Sequence, residues 1–267
     1  SAVATYGANG TIISIGGKDY PTLVSTKLAN PDLKWEKTGM LNIGLDYAFF
    51  NGRLNGSIEY YNKVTKDLIW NYPVTSFLYP FSTISANVGE ITNRGIEISI
   101  NAIPVQNKNF TWTTTLNLSH NKNKVNKLTN EKFSTASFTQ GDPMVAGVSA
   151  EGYTQQIMEG EPLGTFFTYE FAGYDEDGTS VYYEHDAETG ARTGTTTKAP
   201  KFKDRAVTGC AQPKLNMGWN NTFSYKNWSA SFFFTGVFGN KIYNGLRAHY
   251  TAPDFFAGGK NVLKEFI

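Results

Sequence analysis

The sequence predicts an all-β fold of about six antiparallel strands that run up and down one sheet. Three observations support this prediction. Apolar and polar residues alternate along three pairs of segments, as strands with two different faces require. A short turn joins the two segments of each pair, whereas long connections join one pair to the next. The face opposite the apolar one carries Asn, Ser, Thr, Gly, Asp and Glu.

The first strand pair covers residues 35–49 and 53–65. Along its first strand the odd positions of 41–49 are apolar, and most even positions are polar or small. Asn51 and Gly52 predict a tight turn, because both residue types tolerate the positive φ that hairpin turns need. We therefore expect a hairpin with one apolar face and one polar face.

Two further pairs follow, at 94–119 with a turn at 104–109 and at 213–239 with a turn near 225–227. Both alternate in the same way. Residues 1–30 are rich in Gly, Ser, Thr and Ala, which predicts a loop with at most one strand.

The connections 66–93 and 120–212 are long. Two prolines and mixed polarity argue against a central strand in 66–93. The second connection is long for a structureless loop, so we expect local strands inside it. The second pair ends on the side from which the third begins, so an even number of crossings lies between them. Zero crossings is the simplest choice.

Alternation alone also fits a soluble carbohydrate-binding β-sandwich, which is the alternative interpretation. However, the three short turns lie on one side and the long connections on the other, as in outer-membrane barrels. Aromatic residues flank these turns on the apolar face: Tyr47, Phe49, Phe110, Trp112, Tyr225 and Trp228. The polar face would make a costly dry core but a suitable hydrated lumen. We therefore predict a portion of a transmembrane β-barrel, because about six strands are too few to close one.

Two sets of residues follow from this prediction. The expected lipid-facing residues are Leu41, Ile43, Leu45, Leu54, Ile58, Ile96, Ile98 and Ile100. The candidate contact residues are aromatic residues of the first connection: Trp70, Tyr72, Phe77, Tyr79 and Phe81. Aromatic rings stack on sugars and anchor protein interfaces. The other role open to them is to pack the connection against its neighbours.

Composition excludes several other functions. The formal net charge of +1 gives no argument for binding nucleic acid. Cys210 is the single cysteine, so an intramolecular disulfide and a multi-cysteine metal site are excluded. Glu159 and Glu161 could form an acid–base pair, but their Gly- and Pro-rich surroundings favour a turn. No catalytic motif, cofactor motif or metal-ligand spacing is present, so no enzyme is predicted.

Six strings occur along the chain in a fixed order: NPDLKWEKT, NIGLDYAFFNGRLNGSIEYYNKVTKDLI, NVGEITNRGIEISINAIPV, FTWTTTLNLSHNKNKV, IMEGEPLGTFFTYEFAG and PKLNMGWNNTFSYKNWSASFFFTGVFGNKIYN. Together they resemble the C-terminal half of the barrel of SusC/RagA-type TonB-dependent transporters of Bacteroidetes. The resemblance covers residues 30–267.

This resemblance implies that residues 1–267 are part of one TonB-dependent receptor β-barrel domain in the bacterial outer membrane, with 66–93 and 120–212 as extracellular loops. In such transporters about 22 strands enclose an N-terminal plug. A SusD/RagB-like surface lipoprotein forms a lid, TonB supplies energy, and oligosaccharides or peptides are imported. The candidate aromatic residues would then contact the substrate or the lid. No segment resembles the plug or the TonB box, so we expect a portion of a longer transporter.

Overall fold

The computed structural model describes residues 5–74, 81–135, 137–140 and 153–251. Its strands are β1 (Thr5–Ile15), β2 (Lys18–Lys27), β3 (Lys37–Phe49), β4 (Leu54–Pro73), β5 (Thr83–Gln106), β6 (Phe110–Lys127), β7 (Ser137–Gln140), β8 (Gln155–Met158), β9 (Thr165–Tyr169), β10 (Phe171–Tyr174), β11 (Ser180–His185), β12 (Arg192–Thr197), β13 (Arg205–Cys210), β14 (Leu215–Tyr225) and β15 (Trp228–Phe238). A short helix, α1, covers Gly245–Thr251. Within these ranges no helix is long and apolar enough to cross a bilayer.

The main element is a six-stranded antiparallel sheet in the order β15-β14-β6-β5-β4-β3. It contains the three predicted hairpins. In the turn between β3 and β4, Phe50, Asn51 and Gly52 have φ of 54°, 54° and 82°. The predicted positive-φ turn is therefore confirmed. We call the end of the sheet with these three turns the turn end, and the opposite end the loop end.

The second and third hairpins are direct neighbours in this sheet. β6 pairs with β14 from Phe110↔Tyr225 to Ser119↔Asn216. No other strand is inserted between them, which confirms the expectation of zero crossings.

The connection predicted at 66–93 is mostly strand, so the argument against a central strand there is wrong. β4 continues to Pro73, β5 begins at Thr83, and the two pair through this region. The physical reason is a bulge between Thr65 and Leu68, where Asp67 has φ of 58°. A bulge breaks the two-residue alternation on which the prediction depended. Pro73 is the last residue of its strand, where the missing N–H costs little.

The other connections also contain strands. Residues 1–30 hold the hairpin β1–β2, where one strand at most was expected. Its turn uses Gly16 and Gly17 with φ of 61° and 79°. Residues 120–212 include the end of β6, a four-stranded sheet β13-β9-β8-β7 and a three-stranded sheet β10-β11-β12. The expectation of local strands in this segment is confirmed. We call these two small sheets the outer sheets.

A small apolar core lies where the loop end of the six-stranded sheet meets β7 and β8. Its buried members are Tyr72, Ala86, Val88, Val125, Leu128, Phe138 and Ile157. Backbone hydrogen bonds join the same parts, since Val125 N donates to Glu161 O (2.9 Å) and Gly160 N donates to Val125 O (2.8 Å). The Glu159 carboxylate accepts the N–H of Leu128 at 2.6 Å. These contacts fix the four-stranded outer sheet to the loop end.

One glycine of the sheet is required by a close approach. A Cβ on Gly95 would lie 2.4 Å from the His120 carbonyl oxygen and 2.6 Å from the Tyr61 hydroxyl. The missing side chain lets Tyr61 reach across the sheet, and its hydroxyl donates to Asn121 Oδ1 at 2.9 Å.

Candidate functional site

The register of the six-stranded sheet sorts its side chains into two faces, because directly opposed residues point the same way. One row across five strands consists of Leu45, Ile58, Ile98, Leu118 and Met217. Leu45 is 63% exposed and Ile58 is 44% exposed. We call this side the apolar face. A β-sandwich would cover such a row with a second sheet.

All the expected lipid-facing residues share the apolar face by register. Its exposed members are Leu41, Ile43, Leu45, Ile58 and Ile96, and its half-buried members are Leu54, Ile98 and Ile100. Contact with lipid itself remains a prediction.

The opposite face, which we call the polar face, carries carboxylates, amides and hydroxyls. One of its rows consists of Gly44, Glu59, Glu97, Ser119 and Asn216. A shallow groove of about 470 Å³ runs along this row. Next to it, Thr115 Oγ1 donates to Asn101 Oδ1 at 2.9 Å, and Asn101 Nδ2 donates to Asn55 Oδ1 at 3.3 Å. Such a surface exchanges hydrogen bonds readily with water and polar solutes.

Aromatic rings cluster on the apolar face at the turn end. Trp112 stacks on Phe223 with ring centroids 5.7 Å apart, and Phe110 lies 6.3 Å from the same ring. The predicted residues Phe110, Tyr225 and Trp228 are paired in one row across three strands. The aromatic cluster is therefore present on the expected face, and its place at a membrane boundary remains a prediction.

Asn221 is a polar residue of the apolar face that the sequence analysis missed. It is only 1% exposed, and its Oδ1 accepts the indole N–H of Trp112 at 3.0 Å. The signal was available, since position 221 falls on the apolar alternation between Trp219 and Phe223.

The outer sheets enclose a second feature, a cleft of about 970 Å³. In its wall the Glu170 carboxylate accepts two hydrogen bonds from the Arg192 guanidinium, one of them 2.8 Å long. The guanidinium carbon lies 4.1 Å from the centre of the Tyr183 ring. His185 is 2% exposed, and its Nε2 lies 3.5 Å from Glu170 Oε2. The Arg192 hydrogen bond lowers the pKa of Glu170 below its usual range, although partial burial opposes this.

Asp204, directly before β13, is a buried carboxylate. Burial raises its pKa, but the hydrogen bonds it accepts outweigh burial and leave the pKa below its usual range. Their donors are the backbone N–H groups of Lys201 (2.8 Å) and His185 (3.2 Å) and the Lys203 ammonium (3.0 Å). Asp204 therefore ties the start of β13 to the end of β11, which is a structural role.

The candidate contact aromatics are divided by the structure. Trp70 and Tyr72 belong to β4, not to a loop. The ring centroids of Trp70 and Phe138 are 5.2 Å apart. Tyr72 is 5% exposed, and its ring centroid lies 4.8 Å from that of Phe133. These two side chains therefore have the packing role that the sequence left open.

Of the remaining candidates, Phe81 comes two residues before the start of β5. Phe81 is half-buried there. Phe77 and Tyr79 lie outside the described residues. In the described part of the chain, no group of three His, Cys, Asp or Glu side chains could hold a metal ion.

Comparison with known proteins identifies the family. The family described as TonB dependent receptor-like, beta-barrel, matches residues 3–235. The chain belongs to this family. The predicted barrel fold is therefore confirmed, although the sheet in this chain is open at β3 and β15. The predicted resemblance to SusC/RagA-type proteins is confirmed as well.

Several relatives carry the resemblance. TonB-dependent receptor P3 of Formosa agariphila is 33% identical over 95% of this chain and 25% of its own length. TonB-dependent receptor SusC of Bacteroides thetaiotaomicron is 30% identical over 85% of this chain and 22% of its own length. The structure of the RagAB peptide transporter superposes with a TM-score of 0.73 at 24% identity, over 94% of this chain and 26% of that chain. This chain thus spans about a quarter of the length of these relatives.

Proposed function

We propose that this chain is part of the barrel wall of a TonB-dependent importer in the bacterial outer membrane, and that the importer takes up oligosaccharides or peptides. The observation that carries the proposal is the two-faced sheet. Its apolar face would meet lipid, and its polar face would line the hydrated lumen through which a polar solute passes. Membership of the TonB-dependent receptor family supports the same function.

The proposed transport involves binding and movement without covalent chemistry. The polar face supplies exchangeable hydrogen bonds and the carboxylates of Glu59 and Glu97. Solute would move when a plug inside the barrel is displaced by TonB. Both the plug and the remaining barrel strands would come from parts of the transporter outside this sequence.

We propose that the loop end, where the outer sheets and the loop residues Val74, Phe81 and Ser82 lie, faces the extracellular side. A SusD/RagB-like surface lipoprotein would cover this end as a lid. The likeness to SusC and to the RagAB transporter supports such a partner. Within the loop we propose Phe81 as a contact to substrate or lid.

The test uses the full-length transporter in its own bacterium. We expect it in the outer-membrane fraction, and we expect detergent to be needed to extract it. Deletion of its gene should abolish growth on one oligosaccharide or peptide mixture as the sole carbon source, and growth should return with the gene. Recovery of the protein in the soluble fraction, or unchanged growth on every mixture, would contradict the proposal.

A further inference from the structure

The apolar face becomes basic toward the loop end. Two residues beyond Ile96 and His120, the next row contains Arg94 and Lys122, which are directly opposed across β5 and β6. The row after that adds Lys124. All three side chains are exposed. We call Arg94, Lys122 and Lys124 the basic band.

The height of the basic band matches a membrane surface. Lys122 follows Trp112 by ten positions along β6. At about 3.3 Å per residue this is roughly 33 Å along the strand. A barrel strand tilts by about 40°, which leaves roughly 25 Å along the membrane normal, the height of the apolar band of outer-membrane barrels. If the aromatic cluster marks one headgroup level, the basic band lies at the other.

The charges of the basic band have no ion-pair partner among the described residues. Arg94 and Lys122 repel each other, because like charges directly opposed on a sheet are destabilising. No ion pair joins any of the three residues to a carboxylate of the described chain. The nearby Lys66, by contrast, lies 3.7 Å from Glu90. A bound anion would remove this repulsion.

A cavity of about 480 Å³ lies beside the same part of β6, next to residues 212–214, which directly precede β14. Its lining includes Lys122, Lys124 and Lys214, together with a single carboxylate, Glu161. The volume is in the range of pockets that bind small ligands. The basic band therefore borders a recess that could hold a phosphorylated headgroup.

We propose that the basic band binds the phosphate groups of lipid headgroups in the outer leaflet of the outer membrane. This inference rests on the proposed membrane placement of the chain. The Arg94 guanidinium can bind a phosphate with two parallel hydrogen bonds, and the lysine ammonium groups supply point charges. Bound lipid would fix the height of the barrel wall, since its acyl chains would lie on the apolar rows beneath.

The experiment compares three double variants of the full-length transporter with the unaltered protein, all purified in detergent. Lys122→Gln/Lys124→Gln removes two charges from the basic band. Lys63→Gln/Lys201→Gln removes two exposed charges elsewhere, one on the polar face and one outside the six-stranded sheet. Binding of diphosphorylated lipid A is titrated by native mass spectrometry. The first variant should bind about 25-fold more weakly, because each basic residue near a membrane surface contributes about fivefold. The control and Lys122→Arg/Lys124→Arg should bind as the unaltered protein does.

Two further arms identify the ligand. Dephosphorylated lipid A should bind weakly to every variant, and inorganic phosphate at millimolar concentration should not displace lipid A. Equal binding by the two glutamine variants, equal binding of dephosphorylated lipid, or displacement by free phosphate would each overturn the inference. Each variant's barrel is checked by its heat-dependent electrophoretic mobility. Absence of the transporter from the outer membrane would instead refute the proposed function.

Discussion

Replacing Leu45 with Arg tests the assignment of the two faces. Leu45 is 63% exposed on the apolar face, in the row it shares with Ile58 and Ile98. It lies four residues from Phe49 at the turn end and four residues from Leu41. Four residues rise about 10 Å along the membrane normal, at about 3.3 Å each and a tilt of about 40°. Leu45 is therefore close to the middle of the apolar band.

The cost follows from this depth. An Arg on the lipid face at the bilayer midplane destabilises a barrel by about 2–4 kcal/mol. This corresponds to roughly a 30- to 1,000-fold change in the folding equilibrium. Asn42 lies on the polar face of the same strand, where an Arg remains hydrated. We expect Asn42→Arg to cost less than about 0.5 kcal/mol, as surface substitutions usually do.

The assay is reversible guanidinium unfolding of the full-length transporter in lipid vesicles, supported by its amount in the outer membrane. We expect Leu45→Arg to lower the unfolding free energy and the assembled amount, and Asn42→Arg to change neither strongly. Leu45→Met, a swap of similar volume, should be close to neutral. Equal costs for the two arginine variants, or a larger cost at position 42, would refute the assignment of faces.

Three other predictions concern packing, a buried amide and the outer sheets. Gly95→Ala should cost about 1–3 kcal/mol in urea unfolding, because its Cβ would lie 2.4 Å from a carbonyl oxygen of β6. Gly39→Ala, where no atom lies within 4 Å, is the control. Trp112→Phe removes the indole N–H that donates to the buried Asn221 side chain. We expect this to lower the free energy of unfolding by about 1–3 kcal/mol beyond the packing that is lost. A double-mutant cycle with Asn221→Leu should show that the two positions are coupled. The pKa of Glu170 is lowered, so the ionised carboxylate stabilises the folded state. This stabilisation is fully present above the ordinary carboxyl pKa of about 4.3 and is lost as the pH falls through the lowered pKa. Hydrogen exchange in β11 and β12 should therefore accelerate below about pH 4, after correction for intrinsic rates, and Glu170→Gln should lose this change.

The hairpin of β3 and β4 shows which parts of the fold can be predicted. The alternation in 41–49 is uninterrupted, and Asn51 and Gly52 fit the turn they form. Local periodicity and turn chemistry act over a few residues, so one sequence is sufficient to detect them. The same signals predicted the hairpins β5–β6 and β14–β15.

The far end of β4 shows why the prediction stopped too early. Asp67 adopts a positive φ inside a bulge, and the alternation changes phase there. Nothing in the residues 66–73 marks this change, because the strand is held by its partner β5. Pairing with a strand distant in sequence, not local residue preference, determines how far β4 extends.

The candidate site was predictable only as far as it follows from alternation. The two faces of the sheet depend on position along each strand, so residues such as Leu45 and Asn42 could be assigned from sequence. Glu170, between β9 and β10, and Arg192 of β12 are 22 residues apart, and their contact depends on how the outer sheets fold. Trp70 and Tyr72 were assigned to a loop because the bulge hid the strand that carries them.

The most direct test of the account is an accessibility scan along β3. Cys210 is replaced by Ser in the full-length transporter, and spin labels are placed singly at positions 41–48 in lipid vesicles. Collision with oxygen, which concentrates in lipid, and with a water-soluble nickel complex is then measured by electron paramagnetic resonance. The account predicts a two-residue alternation with odd positions accessible to oxygen and even positions accessible to nickel. The opposite phase, or uniform accessibility at all positions, would contradict it.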